Sequence, residues 1–151
     1  MKPLTTAALV LTLLPGTAQA MTCEIGSVTE LALGTYNVFS SAPLDSSGLL
    51  RYTCSDVGVS DTIVIQLSRG SSATYLPRTL LNGAFVLEYN IYLDAARTSV
   101  WGDGSAGTGQ HGPVQPVSGN ETTLDVYGRI PPGQNAHVGS YADTVTVTIV
   151  F

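Results

Sequence analysis

The chain predicts an all-β sandwich, and three observations carry that reading. In Tyr141 to Phe151 the side chains alternate: Thr144, Thr146 and Thr148 point one way, and Val145, Val147, Ile149 and Phe151 the other. Successive strand side chains face opposite sides of a sheet, so this is a strand with one buried face. Similar alternating runs recur along the sequence, parted by Gly, Pro and Ser turns, and no stretch follows a helical period. The composition agrees, with 16 glycines, 8 prolines and only 11% charged residues, as in turn-rich β domains. A core strand that closes the sequence with no hairpin partner after it is expected to need cover on its free side.

The N-terminal residues read as a leader rather than as part of the sandwich. Lys2 supplies a positive start, Ala7 to Leu14 an apolar run, Pro15-Gly16 a break, and Ala18-Gln19-Ala20 a small-x-small cleavage pattern. The apolar run is too short to span a bilayer. The expected division is therefore a secretory signal over 1–20 and a single β-sandwich domain over 21–151, exported, with no membrane insertion. Loss of the leader removes Lys2, the only lysine. Five arginines then face eleven Asp and Glu, a formal charge of −6. An acidic, lysine-free surface argues against nucleic acid or anionic membrane as a partner.

Taken in order, Cys23 opens the domain. Glu24 to Tyr36 follows, as one strand or two short ones, with Leu31 and Leu33 on one face. Ser40 to Gly48 reads as a loop, on the turn chemistry of Pro43 and Asp45-Ser-Ser-Gly48. Leu50, Tyr52 and Cys54 then alternate with Arg51 and Thr53, a strand whose inward cysteine meets Cys23. An even pair of cysteines in an exported chain reads as a disulfide. Closing a loop of about 32 residues is worth roughly 3–4 kcal/mol in the chain-entropy description. Asp61 to Leu67 is a strand with Ile63, Ile65 and Leu67 inward. Phe85 to Leu93 is the longest alternation, with Phe85, Leu87, Tyr89, Ile91 and Leu93 on one face. Thr98 to Trp101 reads as a short edge strand. Gly102 to Asn120 holds six glycines and two prolines and is expected to be a long loop, functional or mobile. Thr122 to Ile130 is the penultimate strand, ended by Pro131-Pro-Gly133.

Catalytic and ligand motifs are not found. Gly102-Asp-Gly-Ser-Ala-Gly107 matches G-x-G-x-x-G, but the residues that follow cannot open the helix that a pyrophosphate requires. The two histidines, His111 and His137, sit in separate Gly- or Pro-rich segments. No nucleophile elbow, H-E-x-x-H pair or EF-hand spacing occurs. The expectation is a protein that is not an enzyme and holds no cofactor or metal. Asn120-Glu-Thr122 is a glycosylation sequon, relevant only in a host that glycosylates. Trp101 reads as a core or edge anchor; with Asp103 and His111 it also marks the long loop as a candidate contact surface.

An ordered set of short segments then carries a resemblance. They are Cys23, Leu33-Gly-Thr-Tyr36, Gly48-Leu-Leu-Arg-Tyr-Thr-Cys54, Leu67-Ser-Arg-Gly70 and Leu87-Glu-Tyr-Asn-Ile-Tyr-Leu-Asp94. Trp101-Gly-Asp-Gly104, Val126-Tyr-Gly-Arg-Ile-Pro131, Gln134 and Gly139-Ser-Tyr-Ala-Asp-Thr-Val145 complete it. The chain resembles the spore coat protein U domain family, which includes the Csu-type pilins of archaic chaperone–usher fimbriae. The resemblance implies an immunoglobulin-like sandwich lacking its last strand. A periplasmic chaperone would lend that strand, and other pilin subunits would replace it at an outer-membrane usher, by donor-strand complementation. The acceptor strand would present Val145, Val147, Ile149 and Phe151. Localisation would be the periplasm and then the cell surface. With cleavage after Ala20, only Met21 and Thr22 precede Cys23, so the expected place is a tip-like or minor subunit. The alternative is a secreted, self-closed sandwich acting as a surface-coat or matrix protein.

Overall fold

The structure is a computed structural model and describes residues 20–151. The expected leader lies outside the described residues, save for Ala20. Eight strands and no helix occur among those residues. They are β1 (Thr22–Val28), β2 (Leu44–Ser55), β3 (Ile63–Leu67), β4 (Arg78–Asn82), β5 (Phe85–Tyr92), β6 (His111–Val114), β7 (Glu121–Ile130) and β8 (Val147–Val150). Two antiparallel sheets face each other, one ordered β1-β2-β7-β5-β4 and the other β6-β3-β8.

The inner faces follow the alternation in the sequence. Leu50, Tyr52 and Cys54 of β2, Ile63, Ile65 and Leu67 of β3, and Leu87, Tyr89 and Ile91 of β5 are all buried, with Trp101 and Ile130 among them. At the edge of the larger sheet Cys23 lies opposite Cys54 and is disulfide-bonded to it. The crosslink ties β1 to the most extensively paired strand of the fold.

Three expectations are corrected, and one strand, β4, had no expectation behind it. Asp45-Ser-Ser-Gly48 is not a loop but the first part of β2, paired residue by residue with β7 from Leu44–Ile130 onward. Cross-strand pairing overrides the local turn preference there, and Asp45 binds Arg129 by two charge-assisted hydrogen bonds at 2.7 and 2.8 Å. Arg78 to Asn82 forms a hairpin with β5 across Gly83-Ala84, although its pattern carries no strand signal of its own. The glycine-rich stretch 102–120 contains β6, which pairs with β3. Phe85, expected inward, is exposed at the start of β5, where its ring stacks on His137 at 3.7 Å.

Glu24 to Tyr36 divides at Val28. Beyond β1 the chain leaves its sheet after one bond, Thr29 N–H to the Leu49 carbonyl, and crosses the inner face of β2 and β7. It settles where two glycines remove side chains. A Cβ on Gly48 would lie 2.9 Å from the Thr29 carbonyl oxygen, and one on Gly128 within 3.1 Å of both Leu31 and Leu33. Leu31 and Leu33 thus pack on the core from above. The Tyr36 hydroxyl fixes the far end, donating to the Pro131 carbonyl and accepting from the Gln134 N–H.

One core residue is a cation. Arg78 is fully buried (0% exposed). It donates to the Ser68 carbonyl from Nε and Nη2, to the Trp101 carbonyl from Nη2, and to Asn90 Oδ1 from Nη1. Burial pushes its pKa down, against favourable fields from Tyr89, Tyr75, Asp143 and Asp103. Its role is to hold the turn after β3 and the Trp101 backbone in one place.

Candidate functional site: a groove beside the last strand

Among the described residues, the sandwich is open between the crossing segment and the last strand. A groove of about 830 Å³ runs there, walled by residues 28–39 on one side and by 136–143, Val145 and Val147 on the other. Its floor is the inner face of the larger sheet, including Leu50, Leu87, Ile91, Val126 and Ile130. Core side chains therefore face a trough rather than a second layer.

The last strand gives the groove its chemistry. From Tyr141 to Ile149 every odd residue is half-buried and every even residue exposed. Backbone bonds follow the same parity. Ala142 exchanges both its N–H and its carbonyl with Leu81 of β4 at 3.0 and 2.8 Å. The Thr146 carbonyl accepts from the Ser68 N–H at 2.9 Å, and the Thr146 N–H donates to Ser68 Oγ. Thr148 and Val150 continue opposite Gln66 and Val64 of β3. In an extended strand the N–H and C=O of one residue point the same way and those of the next the other. The backbone groups of Asp143, Val145, Val147 and Ile149 thus face the groove, and β8 is the edge of its sheet on that side. The same odd residues turn their side chains inward. Apolar side chains, and backbone groups with no partner among the described residues, lie along one line, which is what an added strand requires.

Asp143 interrupts the apolar face. Its Oδ2 accepts from the Tyr89 hydroxyl at 2.7 Å, and its Oδ1 from the N–H groups of Ser71 and Thr144 at 2.8 Å. Tyr89 and Asp143 both line the groove. Burial pushes the carboxyl up, but the Tyr89 and Ser71 hydrogen bonds outweigh it, so the pKa lies below the usual 3.8. Burial and the neighbouring carboxylate push the Tyr89 hydroxyl far up, so it remains a donor. Asp143 thereby clamps the groove wall to β5 and to the turn after β3, where the strand passes from the β4 edge to the β3 edge. Sequence reading overlooked it; the alternation that stops at Thr144 was the available signal.

The candidate residues fall into three places. Val145, Val147 and Ile149 are half-buried and packed on the core. Phe151 does not continue that face: it lies past the end of β8 and is 62% exposed, so the inward series ends at Ile149. The proposed contact loop is dispersed. Trp101 is 1% exposed, and its indole N–H donates to the Ile65 carbonyl at 2.9 Å. It is therefore a core anchor and not a surface contact. His111 is half-buried on β6, with its pKa lowered by burial, and Asp103 closes a local turn by accepting from Ser105 N–H and Oγ–H. Among the described residues no group of three or more His, Cys, Asp or Glu is placed to hold a metal, and no helix is long and apolar enough to cross a membrane.

Comparison with known proteins decides the family. The Spore Coat Protein U domain matches residues 5–148. The chain belongs to this family. A curated relative, Protein U of Myxococcus xanthus, is 36% identical over 145 residues, covering 85% of this chain and 77% of its own length. Among solved structures, the domain is similar to a chain in the crystal structure of the chaperone–tip adhesion subunit pre-assembly complex from the archaic chaperone–usher Csu pili of Acinetobacter baumannii. The TM-score is 0.53 at 21% identity. The match covers 87% of this chain and 40% of that one. It is a likeness of fold, and this Spore Coat Protein U domain is an immunoglobulin-like β-sandwich.

Proposed function

We propose that this protein is an exported structural subunit of a chaperone–usher type pilus, assembled by donor-strand complementation. The observation that carries the reading is the groove-side edge of the last strand, where inward apolar side chains and backbone groups without a partner among the described residues share the odd positions. Val145, Val147 and Ile149 are the proposed acceptor residues. A donor that buries three or four apolar side chains there gains on the order of 6–10 kcal/mol gross, before ordering costs. Its partners in this reading are a periplasmic chaperone, an outer-membrane usher and other pilin subunits. The route runs through the periplasm to the cell surface, and no step is enzymatic. A tip-like or minor position belongs to the proposal and rests on cleavage after Ala20; N-terminal sequencing of the exported protein, with any start well upstream of Met21, would remove it.

The test is expression to the periplasm with and without a candidate chaperone. Degradation alone and recovery as a one-to-one complex is the expected result. A soluble monomer that unfolds cooperatively without a partner contradicts it. That outcome favours the second reading, a secreted coat protein with a self-sufficient sandwich, whose coat role is the one the family's description names.

A further inference from the structure

The strand-accepting reading leaves open how a partner finds its register. A slip of one residue turns a partner's apolar face to solvent and is rejected at once. A slip of two residues keeps every side chain on the same face, so an apolar stripe alone distinguishes such registers poorly. The groove face of the last strand is not uniform, however. From the C-terminal end its inward residues run Ile149, Val147, Val145 and then Asp143, of which the last three line the groove, and the apolar series meets the Asp143 anion end-on.

The surroundings of Asp143 fix what can lie beside it. Its carboxylate already takes three donors, from Tyr89, Ser71 and Thr144. A carboxylate has room for about four, so at most one position is left, on Oδ2, where the Tyr89 hydroxyl is the bonded donor. It cannot swing away without losing those three bonds, and it sits directly on Gly70, where a Cβ would overlap the carboxylate. An apolar partner side chain at this level would strip water from the anion and return no hydrogen bond, a costly arrangement. A residue that donates one, or a glycine that leaves space for water, meets no such penalty.

We propose that Asp143 is a register-setting residue of the groove, and that it defines the partner as an extended peptide strand of two-part pattern. Resting on the strand-accepting reading above, this partner presents apolar side chains beside Val145, Val147 and Ile149. Its inward residue beside Asp143 is Ser, Thr, Asn or Gly. The Tyr89–Asp143 pair acts as a stop: the apolar series of the partner ends where the apolar series of the acceptor ends.

The experiment extends the full chain beyond Phe151 with a short turn and a donor strand of alternating valine and threonine, folding back beside β8 in a fixed register. One serine is then walked through the inward valine positions, and the urea midpoint of each protein is measured. At the position beside Asp143, serine is expected to raise the midpoint by roughly 0.5 M over valine, and at the other inward positions to lower it by about as much or more. In the D143L background the preference at that one position is expected to invert. Valine ranking best at every inward position of the unmutated acceptor overturns the proposal, even if D143L fails to fold. If no donor raises the midpoint above that of the unextended chain, the strand-accepting reading falls, and this inference with it.

Discussion

Asp143 in the groove wall and Arg78 in the core tie the last strand to the turn after β3. Asp143 holds the wall strand, and the sign of its effect on stability follows from its lowered pKa. A carboxyl depressed in the folded state contributes stability that is complete above its usual 3.8 and is lost as pH falls through the folded value. Urea midpoints should therefore fall below about pH 4, and D143N, less stable at neutral pH, should show a shallower acid limb. Equal slopes would assign the acid loss to other groups, of which Asp45, depressed by its Arg129 hydrogen bond, is the next candidate. Arg78 supports the turn that Asp143 and Thr146 bind. R78M leaves the Ser68 and Trp101 carbonyls without their side-chain donor and Asn90 Oδ1 with only the Ile91 N–H, and should cost about 3 kcal/mol or more in chemical denaturation. Neither role was legible in the sequence. Pro77-Arg-Thr79 carries no strand signal because a buried arginine has no periodic signature, and its acceptors at 68, 90 and 101 are far apart in sequence.

Among the elements, the last strand was legible and the opposite wall was not. Val145, Val147 and Ile149 declare themselves by period-two alternation, but residues 29–39 make almost no ladder and carry only the Leu31, Leu33 pair. What holds them is the absence of side chains on Gly48 and Gly128, a property of β2 and β7 rather than of the segment itself. G128A places a methyl against Leu31 and Leu33 and should destabilise by about 1–3 kcal/mol. Pairing it with L31A should recover part of that loss, because the two changes share one site. Additive losses would mean that the segment does not rest on the glycine. β4 and β6 were likewise hidden. The first lies in a run with no alternation, and the second is four residues long and contains Gly112 and Pro113, so only tertiary pairing reveals either.

At the scale of the molecule, a two-sheet sandwich was readable from turn spacing and alternation, and the Cys23–Cys54 link from residue count and expected export. The double change C23A/C54A should cost about 3–4 kcal/mol by releasing the denatured chain. It should leave the groove unchanged, since the disulfide lies at the β1 end of β2. The opening itself was legible only as a question about what lies beside the final strand. Its answer in the structure is an edge on which odd and even residues differ, and amide hydrogen exchange reads that difference directly. In the chain without a partner strand, the amides of Val145, Val147 and Ile149 should exchange rapidly, while those of Thr148 and Val150, bonded toward β3, are protected. Adding a donor strand should slow the odd amides to match the even ones. Equal protection of both sets before any strand is added would mean that the edge is already closed, and would contradict the account.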